Sequence, residues 1–272
     1  MAEGTGGVSF GGARRRAVGL ALLLAALSLA LLPEIAESQG TLRIVAYNIK
    51  HGRGMDDQVD LRRVADVLRA LDADVITLQE VDRNTERTGR VDQVARLGEL
   101  LGMRGIHGAH RPYQGGEYGN AVLTRLPVRE VKVRAIPPSA GSDLSITEVV
   151  LGGGPDGLPV SVVSVHLAGA PEERRAQADS VNAFYSDAGH PVILAGDFNS
   201  RRGDLVMRRL EDRWSVLRKD GDPNTYPSDA PDREIDFVMY RPVGRFEVLE
   251  HRVVEEALAS DHRPLLTVLR IW

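Results

Sequence analysis

The feature that most constrains this chain is a series of short apolar runs that each stop at an acid, an amide or an imidazole. Leu42–Tyr47 runs into Asn48, Asp74–Leu78 into Gln79-Glu80, Val162–Val165 into His166, and Val192–Ala195 into Gly196-Asp197-Phe198-Asn199. Runs of this length read as strands rather than helices. A strand that ends in a polar group sets that group at the lip of a sheet, on a rigid base. Asp236 instead opens the run Ile235–Tyr240, and Asp261-His262 directly precedes the run Leu265–Leu269.

The connections narrow the architecture further. Asp60 is a candidate cap for a helix with Leu61, Val64, Ala65, Leu68 and Leu71 on one face. Val91, Val94, Ala95 and Leu101 predict a second helix, stopped by Gly102 at C′, and a third spans Glu172 to Tyr185. Other strands, at Gly119–Leu123, Val128–Val133 and Ile146–Leu151, follow one another closely. The turn Gly152–Gly157 predicts a hairpin between the last of these and Val160–Val165. A further strand is expected at Phe246–Leu249, and the Pro- and Asp-rich stretch Asp220–Asp232 reads as a long exposed loop. Helical crossovers make parallel pairs and tight turns make antiparallel ones, so the sheets are mixed. Two mixed sheets packed face to face with helices outside, a four-layer α/β sandwich, use every element. No internal repeat is visible.

The length of 272 residues suits one large domain, and 43% hydrophobic with 26% charged residues is ordinary for a globular protein. A net charge of −4 and the lack of a basic run leave no broad electrostatic footprint for nucleic acid, although a nuclease needs only a local basic groove. With no cysteine, disulfides, thiolate nucleophiles and Cys-ligated zinc are excluded. Arg14-Arg15-Arg16, the uncharged run Ala17–Leu32 and the small-x-small site Ala36-Glu37-Ser38 have the order of a secretory signal cut before Gln39. The run is shorter than the roughly 20 residues of a usual spanning helix, and an uncleaved anchor is the alternative. Arg15-Arg16 also fits, weakly, a twin-arginine signal. The expectation is a signal or anchor over 1–38, one domain over 39–272, and export to the periplasm, the medium or the outer side of a membrane.

Each polar residue has an ordinary explanation by itself. Asn48 can serve a turn, Glu80 and Asp197 can be solvated acids, His166 can be a satisfied core histidine, and Asp236 and Asp261 can cap. Together they have a chemical logic. Carboxylates with an amide oxygen make a hard oxygen site suited to Mg²⁺, Mn²⁺ or Ca²⁺. Two histidines can donate to phosphoryl oxygens, and an Asp beside an Asn can orient and deprotonate water. There is no Gly-rich phosphate loop and no nucleophile elbow, which points to direct, metal-assisted hydrolysis of a phosphate ester.

Tyr47-Asn48-Ile49-Lys50, Leu78-Gln79-Glu80, Ser164-Val165-His166, Gly196-Asp197-Phe198-Asn199, Ile235-Asp236-Phe237 and Ser260-Asp261-His262-Arg263-Pro264 resemble, in order, the successive motifs of endonuclease/exonuclease/phosphatase (DNase I-like) proteins. The resemblance covers roughly Thr41 to Trp272 and implies the four-layer sandwich with a site at one edge of the two sheets. It implies Glu80 as the principal metal ligand, helped by Asn48 and Asp261. It implies Asp197 as the group that activates water, with Asn199 beside it. His262, its tautomer set by Asp236, would bind the scissile phosphate, and His166 would be a second donor. Some members carry an acid two residues after the Asn. Here that residue is Lys50, which cannot ligate, so a second metal there is in question. Histidine at 166, where some members have tyrosine, is more like DNase I, sphingomyelinases and inositol-phosphate phosphatases.

Gln79–Arg83 with Arg87 and Asp92-Gln93 resembles a bacterial branch related to the C-terminal domain of proteins that remodel the lipid of glycosylphosphatidylinositol anchors. Tyr118-Gly119-Asn120-Ala121 before Thr124-Arg125-Leu126-Pro127 is also typical of such proteins. Arg83, Arg87, Tyr118, Asn120 and Arg125 are therefore candidate substrate contacts, against a solvated charged face for the arginines. The expected substrate is a phosphate ester. A lipid or inositol-phosphate headgroup, at a membrane surface, is favoured by the export signal and the two-histidine pattern. Nucleic acid is the rival, and a catalytically silent binding module is the alternative of another class. Nothing indicates an obligate protein partner.

Overall fold

The computed structural model describes residues 1, 4, 6–7, 40–152 and 158–272. The expected export segment, its cut site and most of the Gly152–Gly157 turn lie outside the described residues. The chain divides into two compact units, Met1–Ser38 and Gln39–Trp272, and the fold is that of the second. Among the described residues no helix is long and apolar enough to cross a membrane.

Among the described residues, twelve strands and four α-helices alternate as β1 (Thr41–Asn48), α1 (Leu61–Ala70), β2 (Val75–Arg83), α2 (Gln93–Leu101), β3 (Arg104–Tyr113), β4 (Gly116–Thr124), β5 (Val128–Ser139), β6 (Ser142–Leu151), β7 (Val160–His166), α3 (Pro171–Phe184), β8 (Val192–Asp197), α4 (Leu205–Glu211), β9 (Ser215–Val216), β10 (Asp236–Arg241), β11 (Phe246–Val253) and β12 (Leu265–Ile271). They form two six-stranded sheets, ordered β11-β12-β1-β2-β4-β3 and β5-β6-β7-β8-β10-β9. In each, a central parallel pair (β1 with β2, β7 with β8) is flanked by antiparallel neighbours. The expected hairpin of β6 with β7 is present.

Period-2 alternation assigns each strand's residues to two apolar layers. Leu42, Ile44 and Ala46 of β1 join Val162 of β7, Ile193 of β8 and Val238 of β10 in the core between the sheets. The alternate residues Val45 and Tyr47 face Val64, Leu68, Val94 and Leu97 of α1 and α2. Val163, Val165 and Leu194 face Ala178, Val181, Val206 and Leu210 of α3 and α4. Three apolar layers between four layers of secondary structure are the expected sandwich. Both parallel pairs are buried on both faces, which is why they read as unbroken apolar runs.

The helix ends follow local rules. The Asp60 carboxylate accepts from the Arg62 and Arg63 amides at 2.9 and 3.1 Å, a cap worth roughly 1 kcal/mol. Asp92 accepts from Ala95, and Gly102 closes α2 in the left-handed region. Three elements were not expected. β3 is hidden because its sequence RGIHGAHRPY carries a bulge between Ala109 and Arg111 that breaks the alternation. Helix α4 and the two-residue β9 are too short to show a period. β5 also runs six residues past Val133, to Ser139. It is an edge strand, where Pro137 and Pro138 do not interrupt a ladder. The Asp220–Asp232 stretch is not simply exposed: Thr225 and Ser228 are fully buried.

Candidate active site

Parity places the polar residues before any side-chain detail. Asn48 continues the inward series Leu42, Ile44, Ala46 of β1. Ser164 and His166 continue Val160 and Val162 of β7, Asp197 continues Ile193 and Ala195 of β8, and Asp236 precedes Val238 of β10. All five therefore point into the seam between the sheets, at one end of it. β2 needs a correction of its own. Leu78 pairs with Ala121 and Val81 with Gly119, so two residues, Gln79 and Glu80, oppose Asn120 alone. This bulge keeps Leu78 and Val81 both on the helix side and frees Glu80, at φ 57°, from the ladder.

Asp197 is the hub. One carboxylate oxygen, Oδ2, accepts from Asn48 Nδ2 at 3.1 Å and Asn199 Nδ2 at 3.3 Å. The same oxygen lies 3.7 Å from Nε2 of both His166 and His262. The other, Oδ1, accepts from the Asn199 amide at 2.8 Å. Burial raises the Asp197 carboxyl, and after the opposing pull of His262 and the added push of Asp236 it stands at about 6. His262 Nδ1 donates to Asp236 Oδ2 at 2.9 Å. Burial alone would lower the His262 pKa, but Asp236 and then Asp197 outweigh it and raise it to about 10. The ring is an imidazolium clamped between two carboxylates. His166 Nε2 sits 3.2 Å from Asn199 Nδ2, and its Nδ1 has no protein partner. Where Asn199 donates to Nε2, the His166 proton belongs on Nδ1.

Asn48 joins this hub to Glu80, because the same Nδ2 donates to Glu80 Oε1 at 3.1 Å while its Oδ1 accepts from the Lys50 amide. Two carboxylates thus converge on one neutral amide, an arrangement that a divalent cation would stabilise. Glu80 fits such an ion, and Asn48 fits with its amide turned so that Oδ1 in place of Nδ2 faces Glu80. Asp197, Asp236 and His262 also bring ligand atoms within 4.8 Å of one another, with His262 Nδ1 and Asp236 Oδ2 already bonded to each other. Asp261 is engaged elsewhere: its Oδ2 pairs with Lys50 Nζ at 2.8 Å. Lys50 thus stands on the Asn48 side as a cation that already neutralises an acid.

The rim residues separate. Tyr118 belongs to the site: its hydroxyl pKa is raised well above 10 by burial, then by Glu80, with Arg111 and Arg87 opposing. Arg87 is held by the buried Asp82 through two hydrogen bonds of 2.7 and 2.8 Å and lies over the rings of Tyr113 and Tyr118. Arg83, also an expected substrate contact, is turned away. Two residues past Val81 it faces α2, pairs with Glu117 and lines a cavity with Asp92, Gly98 and His107. Arg125 is misplaced by a whole strand length. It follows Thr124, which pairs with Val75 at the far end of β2, and it bonds Asp72. Asn120 is fully buried and donates to Ser145 and Ser164 carbonyls at 3.3 Å, so it ties the two sheets rather than meeting substrate.

Three contributors were not singled out from sequence. Tyr226 packs on the His262 ring, 4.8 Å between centroids. Its loop is laced to the His262 segment by Ser228 N–H to Asp261 O and by Arg263 N–H to Thr225 O, both 2.8 Å. His110 and Arg111, on the bulge of β3, stand beside His166 and Tyr118. Tyrosine after an Asn-Thr turn, or histidine in a strand without alternation, carries no signal of its own.

Comparison with known proteins agrees with this geometry. Residues 45–262 match the Endonuclease/Exonuclease/phosphatase family. The Escherichia coli (strain K12) protein YbhP, described as uncharacterized, is 25% identical over 243 residues, which is 84% of this chain and 95% of that one. The crystal structure of an endonuclease/exonuclease/phosphatase from Beutenbergia cavernae DSM 12333 is 26% identical, with a TM-score of 0.67 over 85% of this chain and 72% of that one. One from Bacteroides vulgatus has a TM-score of 0.71 at 20% identity, over 86% of this chain and 100% of that one, a likeness of fold.

Proposed function

Since the chain belongs to the endonuclease/exonuclease/phosphatase family, whose members hydrolyse phosphate esters, we propose that it is an exported, divalent-metal-dependent phosphoesterase that splits a phosphodiester or phosphomonoester by direct attack of water. The observation that carries this is the Asp197 oxygen with two imidazole nitrogens 3.7 Å away and the Asn48–Glu80 pair bonded to it.

Glu80 and Asn48 would hold Mg²⁺, or Mn²⁺ or Ca²⁺ in its place, with Asp261 able to join only by leaving Lys50. The ion, when bound, supplies positive charge to the phosphoryl oxygens. Asp197, as a carboxylate, orients the water and takes its proton as the new P–O bond forms and the bond from phosphorus to the ester oxygen breaks, the departing oxygen taking its proton from solvent. Asn199 fixes the Asp197 carboxylate through its amide. The His262 imidazolium, steered by Asp236, donates to a phosphoryl oxygen as charge builds, and His166 faces the same space as a second donor when its Nε2 carries a proton instead of accepting from Asn199. No side chain forms a covalent intermediate. Export rests on the pattern of residues 14–38, and a lipid-like headgroup rests on that pattern, the lack of a basic run and the two histidines. A nuclease is the second reading, favoured by the stacked Arg87, Tyr113, Tyr118 and Arg111 at the rim, which offers flat faces to bases.

One panel assay tests the reading. Purified protein with Mg²⁺ is offered plasmid DNA, RNA, sphingomyelin, phosphatidylinositol, inositol phosphates and a chromogenic bis-ester. Hydrolysis of at least one, abolished by excess EDTA and restored by Mg²⁺, is expected. Hydrolysis of none sinks the hydrolase, and a full rate in EDTA sinks the metal.

A further inference from the structure

A cationic corner beside the reacting centre has no partner of opposite charge. The bulge of β3 lets Ala109 pair with Gly119 and Arg111 with Tyr118, so His110 is the extra residue. Two consecutive side chains, His110 and Arg111, therefore meet the same neighbours: the Tyr118 ring is 5.7 Å from the His110 ring and 5.0 Å from the Arg111 guanidinium carbon. Arg87 lies over the same tyrosines, but its charge is cancelled by the two bonds to Asp82. Among the described residues no carboxylate lies within ion-pair distance of Arg111, and its recorded contacts are the faces of Tyr113 and Tyr118.

His110 supplies a second, independent observation. It is buried, 8% exposed, and its Nδ1 accepts from the Ser145 amide at 3.0 Å. Burial, then His166 and Arg111, hold its pKa down at about 3, so the ring is neutral. With Nδ1 accepting, the proton is on Nε2, and that N–H completes no hydrogen bond within normal geometry, although the Asn120 side chain is close enough to favour the charged ring slightly. Its ring centroid is 6.5 Å from that of His166. A buried donor without an acceptor is costly, and here it sits next to an unneutralised guanidinium and a tyrosine that also feels Glu80 and Asp197.

We propose that Arg111 and the Nε2–H of His110, beside the Tyr118 ring, form a subsite for a second phosphate of the substrate. This rests on the hydrolase reading above and adds a requirement to it: the substrate carries another phosphate near the scissile one. Two strand spacings separate β3 from β2, which carries Glu80, on the order of 10 Å. That reach suits either the next phosphate of a polynucleotide or a ring phosphate of an inositol headgroup. The shared chemistry is a dianionic or monoanionic phosphate read by a guanidinium and one N–H donor.

Calorimetric titration of the full chain in excess EDTA reads the subsite without turnover. Two pairs of probes differ only in a second phosphate: the dithymidine dinucleotide with and without a 5′-phosphate, and inositol 1,4-bisphosphate against inositol 1-phosphate. In at least one pair the second phosphate is expected to tighten Kd about tenfold, the scale of one charge-assisted contact, and the pair that responds names the source. Arg111→Gln should reduce that gain to near unity, and Arg111→Lys should recover part of it. His110→Gln, which keeps a donor, should retain more of the gain than His110→Leu. No gain in either pair for the wild-type chain, or an equal gain in wild type and in a folded Arg111→Gln, overturns the subsite. The panel assay is separate: a chain that binds the second phosphate but hydrolyses nothing keeps the subsite and loses the enzyme.

Discussion

Replacing His262 by alanine removes a buried cationic ring that touches both Asp197 and Asp236. The rise of its pKa from 6.5 to about 10 corresponds to a preference of about 5 kcal/mol for the charged ring. Burial opposes that preference, so the neighbouring carboxylates supply more than the net amount. Asp236 at 2.9 Å contributes most, Asp197 at 3.7 Å comes next and Asp261 adds a smaller share. A charge already in place requires no reorganisation when negative charge develops on the phosphoryl group, so its loss falls on the transition state. His262→Ala is expected to lower kcat by roughly 10²-fold or more, as for loss of an oxyanion donor, and to raise KM much less. Asp236→Asn keeps the ring and the Asp197 contact and should lose only part of that. The double variant should fall far short of the product of the two losses, because both act through one hydrogen bond. Steady-state kinetics on the responding substrate of the panel, with melting temperatures for all three variants, measures this. Fully multiplicative kcat losses would refute the coupling. Lowered melting temperatures with kcat of the folded fraction near wild type would show instead that Asp236 and His262 serve packing.

Glu80→Gln removes a carboxylate that is half-buried at the lip and packs against little, so the fold should survive while Mg²⁺ affinity and rate fall; an unchanged calorimetric metal titration would remove Glu80 from the ion's shell. The mature protein is expected to begin at Gln39, which intact-mass measurement of the exported protein decides, a retained apolar segment favouring an anchor. His251 gives a pH test away from the site. Burial, then Lys219 and Arg202, lower its pKa to about 3, so it is neutral in the fold while the unfolded chain takes up its proton below about 6.5. Its contribution is therefore complete above pH 6.5 and is lost on acidification. Wild type should lose about 1.4 kcal/mol more per pH unit than His251→Leu between pH 6 and 4; parallel stability curves would contradict this.

The legible part of the molecule was the part governed by period and punctuation. Apolar runs buried on both faces, the Asp60 cap and Gly102 all follow from local rules, and they give both parallel pairs and hence the seam where the site lies. The core residues Asn48, Glu80, His166, Asp197, Asn199, Asp236 and His262 were legible because each ends or begins such a run. The rim was not, because its residues depend on long-range register. Arg125 and Tyr118 lie seven positions apart on one hairpin arm, yet β4 runs antiparallel to β2, so one meets the site and the other the opposite end of the sheet. Arg83 and Asp82 are neighbours, and strand parity sends one to the helix layer and the other to the seam.

Two bulges account for most of what the alternation concealed. On β2 the extra residue releases Glu80 at φ 57°, and on β3 it brings His110 and Arg111 to one side of Tyr118. A strict ladder would send consecutive residues to opposite faces, so neither Gln79 with Glu80 nor His110 with Arg111 could serve one cavity. A positive φ at a non-glycine residue costs on the order of 1–2 kcal/mol, and a regular strand would avoid it. That the cost is borne at Glu80, where the carboxylate meets Asn48, argues that the bulge is kept for the site and not for the sheet. The β3 bulge, on the next strand but one and at the same end, has the same form, and the only groups it delivers are an unpaired cation and an unpaired N–H among the described residues. The two irregularities then act as one device under the proposals above, in which β2 presents the proposed metal-binding carboxylate and β3 the groups proposed for a neighbouring anion.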